Sequence, residues 1–132
     1  MGNFKIKQER LTRCRTTLNK YEKNCENLRD YDFQPTILRG LHNLIDKFNN
    51  FEKKLKSMAF IDIQHLTDLV FVLDSKKFME IYDEYTKMEF RISTFPDDIM
   101  EHSPSGKEGV SLFDKFGCCL SHHIARILDE NC

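Results

Sequence analysis

Ile37-Leu38-Arg39-Gly40-Leu41-His42-Asn43-Leu44-Ile45-Asp46-Lys47-Phe48 begins the stretch whose reading decides the fold. The apolar positions run on through Phe51, Leu55 and Met58, so that Ile37, Leu41, Leu44, Phe48, Phe51, Leu55 and Met58 step 4-3-4-3-4-3. A helix turns by about 100° per residue, and this spacing sets all of them on one stripe that must be buried against another helix. Leu38 and Ile45 flank the stripe and widen it, which calls for two neighbours rather than one. Pro35 suits the first turn of such a helix, and Lys53, Lys54 and Lys56 sit favourably at the negative end of its dipole. The spacing predicts a helix over 35–58.

The same period recurs on either side. Leu11, Cys14, Leu18, Tyr21, Cys25 and Leu28 step 3-4-3-4-3, and the heptad register extends back through Lys7 to Phe4, predicting a first helix over 4–28. Phe78, Ile81, Tyr85, Met88, Ile92 and Phe95 repeat the 3-4-3-4-3 pattern, with Asp74-Ser75 as the stop and cap before them. Residues 59–74 read two ways. Leu69-Val70-Phe71-Val72-Leu73 has strand character, but a lone strand in a helical chain has nothing to pair with, so a short buried helix is expected. Pro96, Asp97, Asp98, Pro104, Gly106 and Gly109 mark a polar linker over 96–109. Over 110–132, Phe113, Phe116, Leu120, Ile124 and Ile127, with Leu112 and Leu128 at the margins, predict a shorter amphipathic helix. The expected fold is all-α: an antiparallel helical bundle over 1–95 with long coiled-coil-like helices, then the linker and the C-terminal helix.

With 40% apolar and 31% charged residues in a chain of 132, a single folded domain is expected and disorder is excluded. Eleven Phe and no Trp make Phe the bulky packing unit. The net charge of −1 hides an asymmetry: residues 1–29 carry eight Lys/Arg against three Glu, whereas the remainder is acidic by six charges. Either the two regions attract one another or the basic first helix is free for a polyanion. The five cysteines are odd in number, two lie on the first stripe, and no apolar signal segment opens the chain, so a reducing intracellular setting is expected, the cytoplasm ahead of the nucleus. The densest apolar run, Leu66 to Leu73, is too short to span a membrane. Gly2 lacks the Ser or Thr four residues later that a myristoylation signal requires, Ile6 standing there instead.

Signals for chemistry are sparse. Cys118, Cys119, His122 and His123 are the one dense group of metal-capable side chains; two i, i+4 pairs arise on a helix, but adjacent positions diverge and a structural zinc site needs four converging ligands. The same residues lack the Gly-rich turn or oxyanion-forming loop of a Cys/His nucleophile site. No Glu-x-x-His pair suggests a di-metal bundle, and no phosphate-cradling loop appears. No cofactor is expected. Lys5, Lys7, Arg10, Arg13 and Arg15 would carry a nucleic-acid interaction, although they spread around the helix and lack the interleaved aromatics of single-strand platforms.

The basic opening Gln8-Glu9-Arg10-Leu11-Thr12-Arg13, the Leu-rich run from Ile37 to Phe48 and Phe78-Met79-Glu80-Ile81-Tyr82-Asp83-Glu84-Tyr85 together resemble the helical N-terminal segment of gag-type polyproteins of BEL/Pao retrotransposons, over about two-thirds of the chain. The resemblance implies a non-enzymatic helical region of a particle-forming protein. Residues 96–132 depart from it, with neither a zinc knuckle nor the downstream Leu-Pro and Trp landmarks. The functional expectation is a non-enzymatic module that self-associates as a homo-oligomer or binds a helical protein partner, through Leu11, Leu18, Tyr21, Leu28, Leu41, Phe48 and Phe51. The nucleic-acid reading is the alternative and a Cys/His metal protein or enzyme the third.

Overall fold

A computed structural model of the protein describes residues 2–59, 68–96 and 120–129, with side chains in the last segment from residue 124. The described chain is mostly helical. Strand β1 (Gly2–Lys7) runs into helix α1 (Gln8–Asn24), which tightens into a 3-10 turn at Cys25–Leu28; α2 (Gln34–Met58) follows, then β2 (Asp68–Leu73), α3 (Ser75–Thr94) and α4 (Leu120–Asp129).

The stripes account for this order. Leu11, Cys14, Leu18, Tyr21, Cys25 and Leu28 are all buried, as are Ile37, Leu41, Leu44, Phe48, Phe51 and Leu55, and Phe78, Ile81, Tyr85, Met88, Ile92 and Phe95. Met58 is half-buried. The three stripes converge in one core. α1 packs on both α2 and α3: the Tyr21 hydroxyl donates to the Ile92 carbonyl at 3.2 Å, Phe95 stacks on Tyr21, and Phe51 meets Tyr85 edge-on with ring centroids 5.7 Å apart. α2 has Pro in its first turn. The Asp74 side chain caps α3 by accepting from the Lys77 backbone N–H at 2.7 Å.

The fold departs from an all-α chain at one place. Residues 2–7 are a strand rather than the start of the first helix, and 68–73 are a strand rather than a buried helix; the two pair antiparallel, with Phe4 opposite Phe71 and Ile6 opposite Leu69. Each is the partner that the other lacked when read alone. Phe4 lies seven residues before Leu11 and so mimics a heptad position, but Phe4 and Ile6 alternate with Lys5 and Lys7, which is the period of a strand with one buried face. Ile6, Leu69 and Phe71 are buried, whereas Lys5 and Lys7 are exposed. Phe4 stacks on Phe78 with centroids 4.3 Å apart and Phe71 lies 6.3 Å from the same ring, so the small sheet covers the first turn of α3.

The C-terminal helix docks. α4 lies against α1, with Ile124 and Leu128 fully buried. The buried Asn24 side-chain amide donates to the Leu128 carbonyl at 3.0 Å, satisfying an acceptor that the end of α4 would otherwise leave without a partner. The buried positions are thus Ile124 and Leu128, one turn apart, with Ile127 only partly buried against the core. The expected linker over 96–109 lies outside the described residues beyond Pro96, as do Leu112, Phe113 and Phe116.

Candidate functional site

The residues expected to meet a partner are committed elsewhere. Leu11, Leu18, Tyr21, Leu28, Leu41, Phe48 and Phe51 are each at most 6% exposed within one chain. A second molecule reaches them only if a helix is displaced.

The basic face of the first helix is likewise engaged. Arg10 donates from Nε and Nη2 to both carboxylate oxygens of Glu89 on α3, at 3.2 and 2.5 Å, and its guanidinium lies 4.8 Å from the Tyr85 ring centroid and 5.5 Å from that of Tyr82. The hydrogen bond to Glu89 holds the Arg10 proton above the ordinary guanidinium range. Arg15 pairs with Glu52 on α2 and covers the Phe48 ring. Lys20 pairs with Asp129 on α4 at 2.7 Å, and His42 approaches Glu22 at 3.1 Å. Arg13 pairs along its own helix with Glu9. Lys5 and Lys7 stand on the solvent face of β1, apart from this set, Lys7 opposite Asp68. Part of the charge asymmetry of the sequence is thus met within the chain: Arg15, Arg10 and Lys20 of α1 meet acidic groups on α2, α3 and α4.

An open feature lies between α2 and α3. A groove of about 420 Å³ is lined by Lys47, Asn50, Phe51 and Lys54 from α2 and by Glu84, Lys87, Met88 and Arg91 from α3. Four cations against one carboxylate frame a floor made by Phe51 and Met88, inner residues of their stripes. Lys54 meets Glu84 at 3.0 Å across the groove, and Lys87 meets Asp83 at 3.0 Å along α3. Pairs of this exposure contribute about 0–1 kcal/mol, so both lysines exchange partners at little cost. Lys47 makes no ion pair among the described residues. Sequence reasoning missed the groove, although the signal was present: Lys47 and Lys54 are two turns apart on one edge of the α2 stripe, and Lys87 and Arg91 one turn apart on the edge of the α3 stripe. What periodicity cannot give is that these two edges face each other.

A smaller apolar surface also escaped the stripe analysis. Met79, Tyr82 and Phe90 on α3 are 61%, 37% and 66% exposed, and Val72 on β2 is 40% exposed; single exposures of this kind are ordinary in folded chains.

Nothing among the described residues gathers three or more His, Cys, Asp or Glu side chains around a common point. Cys118 and Cys119 lie outside the described residues, and although His122 and His123 fall on α4, their side chains are not described. Cys14 and Cys25 are buried free thiols; burial pushes the Cys14 thiol up to about 11 and the Cys25 thiol in the same direction, which keeps both protonated and unreactive at neutral pH. No described helix is long and apolar enough to cross a membrane. Compared with family models, curated proteins and solved structures, the chain matches none of them.

Proposed function

We propose that this chain is a non-enzymatic helical interaction module, an antiparallel bundle whose coiled-coil-like seams hold the chain itself together and whose binding surface is the α2–α3 groove. The observation that carries this reading is the contrast between three stripes spent on one internal core and an open, cation-rimmed groove among the described residues. The order of contacts supports the antiparallel arrangement of α1 and α2, since Arg15 meets Glu52 and Glu22 meets His42. A gag-type origin would place the same module in a particle-forming protein; that part of the proposal rests on the sequence layout alone.

Seam substitutions test the reading. Leu18→Asp and Phe48→Asp each bury a carboxylate in a packed core, at a cost of several kcal/mol, a large fraction of a small domain's stability. The expected outcome is loss of helical circular dichroism and of cooperative melting in both variants. A variant that keeps its helicity and melting but changes its mass in solution would show instead that the seam lies between chains.

The nucleic-acid reading has the cation excess of the groove in its favour; of Lys5, Lys7, Arg10, Arg13 and Arg15, the three arginines are ion-paired, whereas the two lysines stand on the exposed face of β1.

A further inference from the structure

Helix α4 rests on α1 and the 3-10 turn that follows it, a surface that shares no residue with the lining of the α2–α3 groove. We propose that this surface is a helix-docking site, held in this structure by the chain's own α4 and open, when α4 leaves, to a helix of a partner protein that ends in the same pattern, Ile-x-x-x-Leu-Asp. The seat has an apolar and a polar half. Ile124 and Leu128, one turn apart, are both fully buried, the i, i+4 anchoring by which an amphipathic helix lies in a groove. Beside Leu128, α1 supplies what the end of a helix lacks. The last carbonyls of a helix have no partner within it, and the Asn24 side chain, only 2% exposed, donates to the Leu128 carbonyl at 3.0 Å. Lys20 stands at the same end, where a cation meets the negative pole of the helix, and pairs with Asp129 at 2.7 Å. A buried amide and a cation set at one helix terminus fix where the occupant ends and which way it runs.

The occupant and its seat are unequally held. α4 is 10 residues long, too short to persist as a helix in water by itself, so its helical form depends on the seat. The seat belongs to α1 and its 3-10 turn, whose stripe from Leu11 to Leu28 shares one core with the stripes of α2 and α3. Among its described residues α4 offers two fully buried anchors, where α2 buries six stripe residues. Elements with few buried contacts open locally well before the whole domain does. The vacated seat then reads a helix end rather than a whole sequence: it takes an aliphatic pair, a backbone carbonyl and a carboxylate, none of them peculiar to α4. α4 is in this sense a resident competitor of the partner helix.

Fluorescence anisotropy on the full chain tests this, with α4 unseated by Leu128→Asp. Three labelled peptides are the probes: the chain's own 120–131, an unrelated helix-favouring sequence of equal length that keeps only the terminal Ile-x-x-x-Leu-Asp, and a scramble of the first. The Leu128→Asp chain is expected to keep a cooperative melt and the helicity of its three long helices. It should bind the first two peptides at least about tenfold more tightly than the scramble. The parent chain, its seat filled by α4, should bind them at least about tenfold more weakly than Leu128→Asp does. Adding Lys20→Glu to the Leu128→Asp chain should weaken binding several-fold, and Asp129→Lys in the first peptide should restore it. Loss of the cooperative melt in Leu128→Asp would overturn the proposal by making α4 an integral part of the core. Binding of the 120–131 peptide alone would overturn the partner assignment and reserve the seat for the chain's own helix. Equal binding by parent and variant would move the peptides to another surface. The seams of the three long helices are judged separately, by the folding of Leu18→Asp and Phe48→Asp, and the α2–α3 groove enters none of these readouts.

Discussion

Tyr85 is 1% exposed at the meeting point of α1, α2 and α3, and its buried hydroxyl has no hydrogen-bond partner among the described residues beyond a weak approach to the Cys14 thiol. The ring is needed there: Phe51 meets its edge and the Arg10 guanidinium lies over its face. The oxygen is not. A buried hydroxyl without a partner costs about 1–3 kcal/mol in desolvation, so Tyr85→Phe is expected to leave stability unchanged or raise it by about 1 kcal/mol, read from the urea midpoint. A loss of that size would mean that the hydroxyl is bonded in the folded protein. The neighbouring Cys14 sets a pH response. Burial pushes its thiol from 9 to about 11, so the folded state holds the proton more tightly than the unfolded state. Its contribution is fully present below pH 9 and is lost as pH rises towards 11, because the unfolded chain ionises first. Burial also raises Cys25, Tyr21 and Tyr85, and all act with the same sign. Chemical denaturation across this range should show a midpoint steady up to pH 9 and falling above it; a flat profile would show that these groups titrate alike in both states.

At the scale of elements, Pro35 opens α2 and Asp74 caps α3, and α3 gives the sharpest test. The Asp74 carboxylate accepts from the Lys77 N–H, an N-cap whose removal typically costs about 1 kcal/mol; Asp74→Ala should lower stability by that amount and Asp74→Asn or Asp74→Ser should restore most of it. The three long helices were legible because their stripes repeat over at least five turns, and a period sustained that long has one structural meaning. The two strands were not, for a physical reason specific to pairing. Phe4 and Ile6 gain a buried face only when Leu69 and Phe71 are laid beside them, and a partner more than sixty residues away leaves no mark on the local pattern. The groove was hidden in the same way. Lys47, Lys54, Lys87 and Arg91 look like solvated helix edges one at a time, and line one groove only when packing on α1 brings α2 and α3 side by side.

The whole molecule is organised around α1. Its apolar stripe feeds the core, and three of its basic residues reach α2, α3 and α4 through Arg15–Glu52, Arg10–Glu89 and Lys20–Asp129. Those pairs are partly exposed, and each is worth about 1 kcal/mol or less; the stripes do most of the holding, since burying a Leu or Phe contributes about 1.5–3 kcal/mol. Among the described residues, all three long stripes are enclosed in one core. The central claim, that the seams close within one chain, is tested most directly by absolute mass from light scattering over a concentration series with reductant present. The predicted result is the monomer mass of 15.7 kDa at every concentration; a mass that climbs to twice that value while the protein stays folded would contradict it and return the stripes to an interface between chains.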